Sequence, residues 1–215
     1  MHITLTNTGK RFNREWIFRH FSYEFLPGKK YAITGPNGSG KSTLLQVIAG
    51  SLTYNEGSIA YRQPSSSEDA DSGIRHPVPD IQPYRHITIA APYLELIEEM
   101  TTMEMLRFHS RFKSLTLPLS EILDIIGLSQ AAHKQLRYFS SGMKQRLKLA
   151  QAFFSDVPVL LIDEPTTNLD AEGITLYHRL IRDHANNKLV IVSSNDKQEY
   201  TFCEEVIEIG KYKSA

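Results

Sequence analysis

The chain has 215 residues, 41% hydrophobic and 22% charged, an ordinary globular composition with enough length to bury one sizeable core. Its 24 Lys plus Arg balance its 24 Asp plus Glu, so no strong net field draws it to nucleic acid or an anionic membrane surface, and the single cysteine, Cys203, excludes an internal disulfide or a cysteine-rich zinc site. No stretch approaches the ~18 apolar residues that span a bilayer, and Met1-His2-Ile3-Thr4 lacks the basic and apolar regions of a signal peptide, so the expectation is a soluble chain in a reducing cytosol that reaches a membrane only by docking onto another protein.

Strand and helix signals alternate along the chain. Ile3 and Leu5 alternate with threonines, and Phe21, Tyr23 and Phe25 repeat the period of two, which predicts two early strands with one buried face. Trp16 and Phe18 are read as packing of an early strand. Lys30 to Thr34 is a further strand that runs into a glycine-rich turn; Lys41 to Ala49 has helical composition, and Gly50 ends it. Residues 64–83 are polar and rich in serine and proline, which predicts an exposed, mobile loop between two strands. From about Leu94 to Phe154 apolar residues recur at helical spacing, predicting a mostly helical subdomain. Strand character returns at Val157 to Ile162, Leu189 to Ser193 and Val206 to Ile209, with a helix from Ala171 to His184.

The turn Gly35-Pro36-Asn37-Gly38-Ser39-Gly40-Lys41-Ser42, with Thr43 next to it, matches the P-loop pattern G-x-x-x-x-G-K-[ST]. Its glycines let several backbone amides face one concavity, and the helix starting near Lys41 adds its positive end, which together cradle phosphate. Lys41 reaches the terminal phosphates of ATP and the Ser42 hydroxyl binds Mg²⁺. A chain of this length matches the pattern by chance roughly once in a hundred times, and the strand before and helix after lower that further.

Val159-Leu160-Leu161-Ile162-Asp163-Glu164 reads as a buried parallel strand whose C-terminal edge carries two acids. Alone it is better read as a core strand ending in a solvated acid. Beside a P-loop the acids acquire roles: Asp163 holds Mg²⁺, and Glu164 orients or deprotonates the attacking water.

With these motifs in order, the chain resembles the ATP-binding cassettes of ABC transporters over nearly its whole length. Asp163-Glu164-Pro165-Thr166-Thr167-Asn168-Leu169-Asp170 is similar to the family's Walker B end and D-loop, and Phe139-Ser140-Ser141-Gly142-Met143-Lys144-Gln145-Arg146 to its signature; on its own the latter is a serine-capped helix start. The resemblance implies one α/β domain over residues 1–215: a P-loop NTPase core with a mixed or parallel sheet (1–93 and 155–215), an N-terminal antiparallel β subdomain, and an inserted α-helical subdomain (about 94–154). It implies a homodimer or a heterodimer with another ABC ATPase, docked head to tail so that Ser140 and Gly142 of one copy cover the phosphate held by the other. It also implies separate transmembrane permease subunits, a place on the cytoplasmic face of the membrane, no nucleic-acid partner, and Phe12 as the ring that stacks on adenine, where tyrosine is commoner.

Several positions depart from the family pattern, whose signature is usually Leu-Ser-Gly-Gly-Gln where this chain has Phe139-Ser140-Ser141-Gly142-Met143. Ser141 stands where the family has glycine, Tyr93 where it has the glutamine of the Q-loop, and Asn195, in Ser193-Ser194-Asn195-Asp196, where it has the switch histidine. A phenol copies a carboxamide's metal contact poorly, and asparagine donates to a phosphate oxygen but does not titrate near neutral pH. A transport ATPase, a soluble ABC ATPase and a non-catalytic nucleotide-gated module therefore stay open, with hydrolysis favoured because Lys41, Ser42, Asp163 and Glu164 are intact. The histidines show no metal-ligand spacing, and Arg137, Lys144, Arg146 and Lys148 read as a solvated helix face.

Overall fold

Aromatic and aliphatic residues at alternate positions pair the first two strands. β1 (His2–Phe12) runs antiparallel to β2 (Glu15–Phe25), with Ile3 and Leu5 buried on one and Phe18, Phe21 and Phe25 on the other. Trp16 behaves differently from Phe18: two guanidinium groups lie over its ring, Arg11 at 5.4 Å and Arg19 at 4.5 Å, attracted by its π face. After β3 (Lys30–Thr34) and α1 (Lys41–Ile48), β4 (Glu56–Arg62) pairs with the other edge of β1, completing a three-stranded sheet.

The computed structural model of the chain describes residues 1–63 and 82–213. The expected loop over 64–83 falls almost wholly outside them, but its last residue, Pro83, opens a one-turn helix, α2 (Pro83–His86), because proline's fixed φ and missing N–H suit a first helical turn. β5 (Ile87–Ala90) follows. The helical layer then consists of α3 (Thr102–Ser110), α4 (Leu119–Ile125) and α5 (Ser141–Phe153), and the core resumes with β6 (Val159–Asp163), α6 (Ala171–His184), β7 (Leu189–Ser193) and β8 (Glu205–Glu208). β6 starts later than expected because Pro158 has no N–H for the ladder, and it runs on to include Asp163. β8 ends before Ile209, which enters a 3₁₀ turn.

Strands β5, β6, β7, β3 and β8, in that spatial order, form a parallel sheet. Both its faces are buried, which is why β6 and β7 are apolar almost throughout. Val159, Leu161, Leu189 and Ile191 pack against Tyr31, Ile33, α1 and the early aromatic residues. Leu160, Ile162, Val190 and Val192 pack under α5 and α6. Helices α3, α5 and α6 start on side-chain caps: Thr101 accepts from Glu104 N at 3.3 Å, Ser140 from Met143 N at 3.2 Å, and Asp170 from Gly173 N at 2.8 Å. Burial pushes the Cys203 thiol up to about 12, which makes it inert.

α3 is pinned to the end of α5 through His109, whose Nε2 lies 2.8 Å from Ser155 Oγ; that hydroxyl donates to the Gln151 carbonyl at 2.6 Å. Burial, with the Lys113 ammonium beside it, lowers the His109 pKa to about 4. Because the folded value lies below the unfolded one, the unfolded chain binds the extra proton between pH ~6.5 and about 4, and stability falls as pH drops through that window. The loss should reach roughly 2–3 kcal/mol, and urea midpoints of His109→Gln should decline less steeply than those of the parent over the same range. Parallel declines would contradict this assignment.

Candidate functional site

Parallel register brings the sequence motifs to one sheet edge. Ser193 of β7 pairs with Ile33 of β3 on one side and with Asp163 of β6 on the other. The loop leaving β3, the acids ending β6 and the segment after β7 therefore emerge side by side at the carboxyl ends of the strands, where open α/β sheets bind ligands.

The loop from Gly35 to Gly40 is shaped by its glycines at two critical places. Gly40, at φ 100°, faces Ile17, whose Cγ2 would lie 2.5 Å from an added Cβ; Gly35, at φ 147°, faces Ser39 Oγ at 2.8 Å. Ser39 N closes the turn on the Pro36 carbonyl at 3.0 Å. Lys41 is buried, and its ammonium donates to the carbonyls of Gly35 at 2.8 Å and Pro36 at 3.3 Å. Ser39 Oγ is buried without a hydrogen-bond partner among the described residues, a cost of about 1–3 kcal/mol that a phosphate oxygen would remove. Asn37, Gly38, Gly40, Lys41, Ser42 and Thr43 line a cavity of about 220 Å³, together with Ile17 and Glu164.

Asp163 is 2% exposed, and the Ser193 hydroxyl donates to it. Glu164 adopts φ 42°, unfavourable for a residue with a side chain, and donates its N–H to the Ser193 carbonyl at 2.9 Å. That turn aims the chain away from the strand and leaves the Glu164 side chain on the cavity. Asn195 lies across the loop: its Nδ2 donates to Asn37 Oδ1 at 2.9 Å, and its Oδ1 accepts from Gly35 N at 3.4 Å. Among the described residues no group of three or more His, Cys, Asp or Glu side chains holds a metal by itself. The oxygens present, the Ser42 hydroxyl and the Asp163 carboxylate, suit a hard cation that takes its remaining ligands from phosphate and water.

Tyr93 also comes to this place. Burial raises its phenol, the Asp163 charge adds to the rise, and the Gln46 side chain beside it works in the opposite direction. Gln46 had no signal of its own in the sequence beyond its spacing: four residues after Ser42, it shares that residue's face of α1. Ile17 was likewise missed, since it reads as one more residue of β2. Phe12 ends β1 with its ring 47% exposed and Lys10 Nζ 5.0 Å above it, but it stands outside the lining of the cavity.

The second motif is held elsewhere. Ser140, Ser141, Gly142 and Met143 line a separate cavity of about 440 Å³ with Gly127, Leu128, Arg146, Asn168 and Asp170, and it shares no residue with the first. Gly142 packs against the turn after β6, where an added Cβ would lie 3.0 Å from Asn168 O. Of the basic residues expected on a solvated face, Arg137 is exposed, 3.6 Å from an exposed Glu99, whereas Lys144 pairs with Glu98 and Lys148 donates to Pro92 O at 2.7 Å. Arg146 reaches Asp170 at 3.1 Å and Glu172 at 3.6 Å, with its side chain only 14% exposed. The Gly173 N–H first, and Arg146 second, hold the Asp170 carboxyl below its usual range.

The family profile described as ABC transporter matches residues 18–167. The chain is 29% identical over 213 residues to the uncharacterized ABC transporter ATP-binding protein YybJ of Bacillus subtilis, covering 97% of this chain and 92% of that protein. It is 31% identical over 201 residues to the cytochrome c biogenesis ATP-binding export protein CcmA of Rhizobium etli, covering 91% and 88%. Among solved structures, an ATP-binding subunit of an ABC transporter superimposes with a TM-score of 0.78 at 22% identity, over 98% of this chain and 87% of that one. The cassette MJ0796, in a dimeric post-hydrolysis state bound to ADP and Pi, does so with 0.75 at 22% identity, over 97% and 95%. Both share the fold.

Replacing Lys41 by alanine removes its ammonium from the phosphate cradle. Calorimetric titration should show Mg·ATP affinity weakened about tenfold or more, and equal affinities for variant and parent would sink the assignment of this cavity.

Proposed function

The chain belongs to the ABC transporter family, as an ATP-binding and ATP-hydrolysing subunit, and from that membership together with the site we infer how its residues divide the work. The amides of Gly35 to Thr43 and the Lys41 ammonium bind the phosphates of ATP, and Phe12 receives the adenine. The Ser42 hydroxyl and the Asp163 carboxylate hold Mg²⁺, which when bound neutralises charge on the phosphate oxygens. Glu164 orients the attacking water and accepts its proton. Asn195 donates from its carboxamide to the γ-phosphate, and Tyr93 borders the same space. The observation that carries this reading is the convergence of the P-loop, Asp163, Glu164 and Asn195 at one sheet edge, which parallel register enforces.

The signature cavity supports a paired state. Within one chain it is separate from the phosphate cavity, so Ser140 and Gly142 meet a nucleotide only when a second copy, or another ABC ATPase, docks head to tail. The N-terminus of α5 then adds its positive end to the phosphate from the opposite side. No helix among the described residues is long and apolar enough to cross a membrane. Family membership supports coupling to transport through permease subunits, with this chain peripheral on the cytoplasmic face.

The test is phosphate release with Mg·ATP, run beside Glu164→Gln. The parent should turn over. The variant should bind ATP with affinity within about threefold of the parent, lose turnover by at least about a hundredfold, and elute as a dimer with ATP in size-exclusion chromatography with light scattering. Equal turnover would remove Glu164 from the mechanism, and a strictly monomeric variant would remove the self-paired state.

A further inference from the structure

Asn195 and Glu164 sit on different loops, and one buried side chain ties those loops together. Past Asn195, Asp196 caps a 3₁₀ turn (Lys197–Glu199): its Oδ1 accepts from Gln198 N at 2.9 Å, and its carbonyl accepts from Glu199 N at 3.0 Å. Glu199 is 4% exposed. Its Oε1 accepts the Thr166 N–H at 2.9 Å and also the Thr166 hydroxyl, while its own carbonyl accepts from the fully buried Tyr177 hydroxyl at 2.7 Å. Among the described residues no Lys, Arg or His pairs with this carboxylate. A buried carboxylate without a cation is costly, and its hydrogen bonds to Thr166 are what offset that cost.

Thr166 lies two residues after Glu164 in a segment of successive tight turns: Thr167 N donates to Glu164 O at 3.2 Å, and Leu169 N to Thr166 O at 2.9 Å. The buried Gln145 of α5 donates to the neighbouring Pro165 O at 2.9 Å. Pro165 and Thr166 are thus clamped between a donor from the signature helix and an acceptor from the segment carrying Asn195. Displacing that clamp would swing Glu164, whose backbone already sits at an unfavourable φ of 42°.

We propose that Glu199 is a positioning residue for hydrolysis: through Thr166 it fixes where the Glu164 carboxylate points, and it makes that direction depend on where Asn195 lies. The inference rests on Glu164 acting on the attacking water. Glu199 touches neither the P-loop nor the phosphate cavity, so its loss acts on turnover and leaves nucleotide binding alone.

The experiment measures ATP affinity, kcat, KM and the urea midpoint for the parent, Glu199→Ala, Glu199→Gln, Thr166→Val and Glu164→Gln. Glu199→Ala should lower kcat about tenfold or more while ATP affinity and KM stay within about threefold, because a misdirected carboxylate fails only in the transition state. Glu199→Gln keeps an oxygen for Thr166 and should recover most of kcat; Thr166→Val removes the same hydroxyl bond from the other side and should lower kcat even if Glu199→Ala does not fold. Parental kcat in Glu199→Ala or Thr166→Val, with or without a lower urea midpoint, would overturn the proposal. So would a glutamine variant no better than alanine, or affinity falling in step with kcat. Full turnover in Glu164→Gln would overturn the reading of Glu164 and this one with it, whereas a dead Glu164→Gln beside a fully active Glu199→Ala would overturn this one alone.

Discussion

The pairing of Asp163 with Ser193 across the ends of β6 and β7 is the constraint on which the site depends. The two strands are buried on both faces, and alternate residues belong to different cores: Leu160, Ile162, Val190 and Val192 to one, Val159, Leu161, Leu189 and Ile191 to the other. A slip of one residue would turn every one of these side chains to the opposite face, so packing fixes the register strongly. Once the register is fixed, Asp163 has a hydroxyl partner for its buried carboxylate, Glu164 N has the Ser193 carbonyl, and Asn195 falls across Gly35 and Asn37. The geometry at this sheet edge is a by-product of filling two apolar layers.

What could be read from the sequence follows from how local each signal is. The strand, loop and helix around Gly35 to Ala49 obey short-range rules of glycine conformation and helix starts, and they fold where those rules put them. The helix Ala171–His184 is equally local, opened by the Asp170 cap. Ile17, Gln46 and Glu199 carried no such signal. Each gains its place only when β2, α1 or the turn after β7 is brought against another element, and on the sequence alone they are an aliphatic strand residue, a helical glutamine and a surface acid.

The basic cluster of α5 shows the same limit from the other side. A run containing Lys144, Arg146 and Lys148 has the composition of a solvated face, yet each finds a partner far away in the chain: Glu98, Asp170 and the Pro92 carbonyl. These contacts join the signature helix to the turn after β6 and to the segment around Tyr93. The helical layer is thereby coupled to the acids at the sheet edge, through Gln145 on Pro165 as much as through Arg146 on Asp170. Hydrogen bonds, buried at Gln145 on Pro165 and exposed at Arg146 on Asp170, thus join the segment after Glu164 to the helix whose first residues line the second cavity.

The most direct test of the convergence is amide hydrogen exchange of the whole chain with and without Mg·ATP. Protection should rise together in residues 35–43, 163–167 and 193–196, since these separate stretches of sequence are one site at the ends of β3, β6 and β7. Protection confined to the P-loop, with the ends of β6 and β7 exchanging as before, would contradict the account.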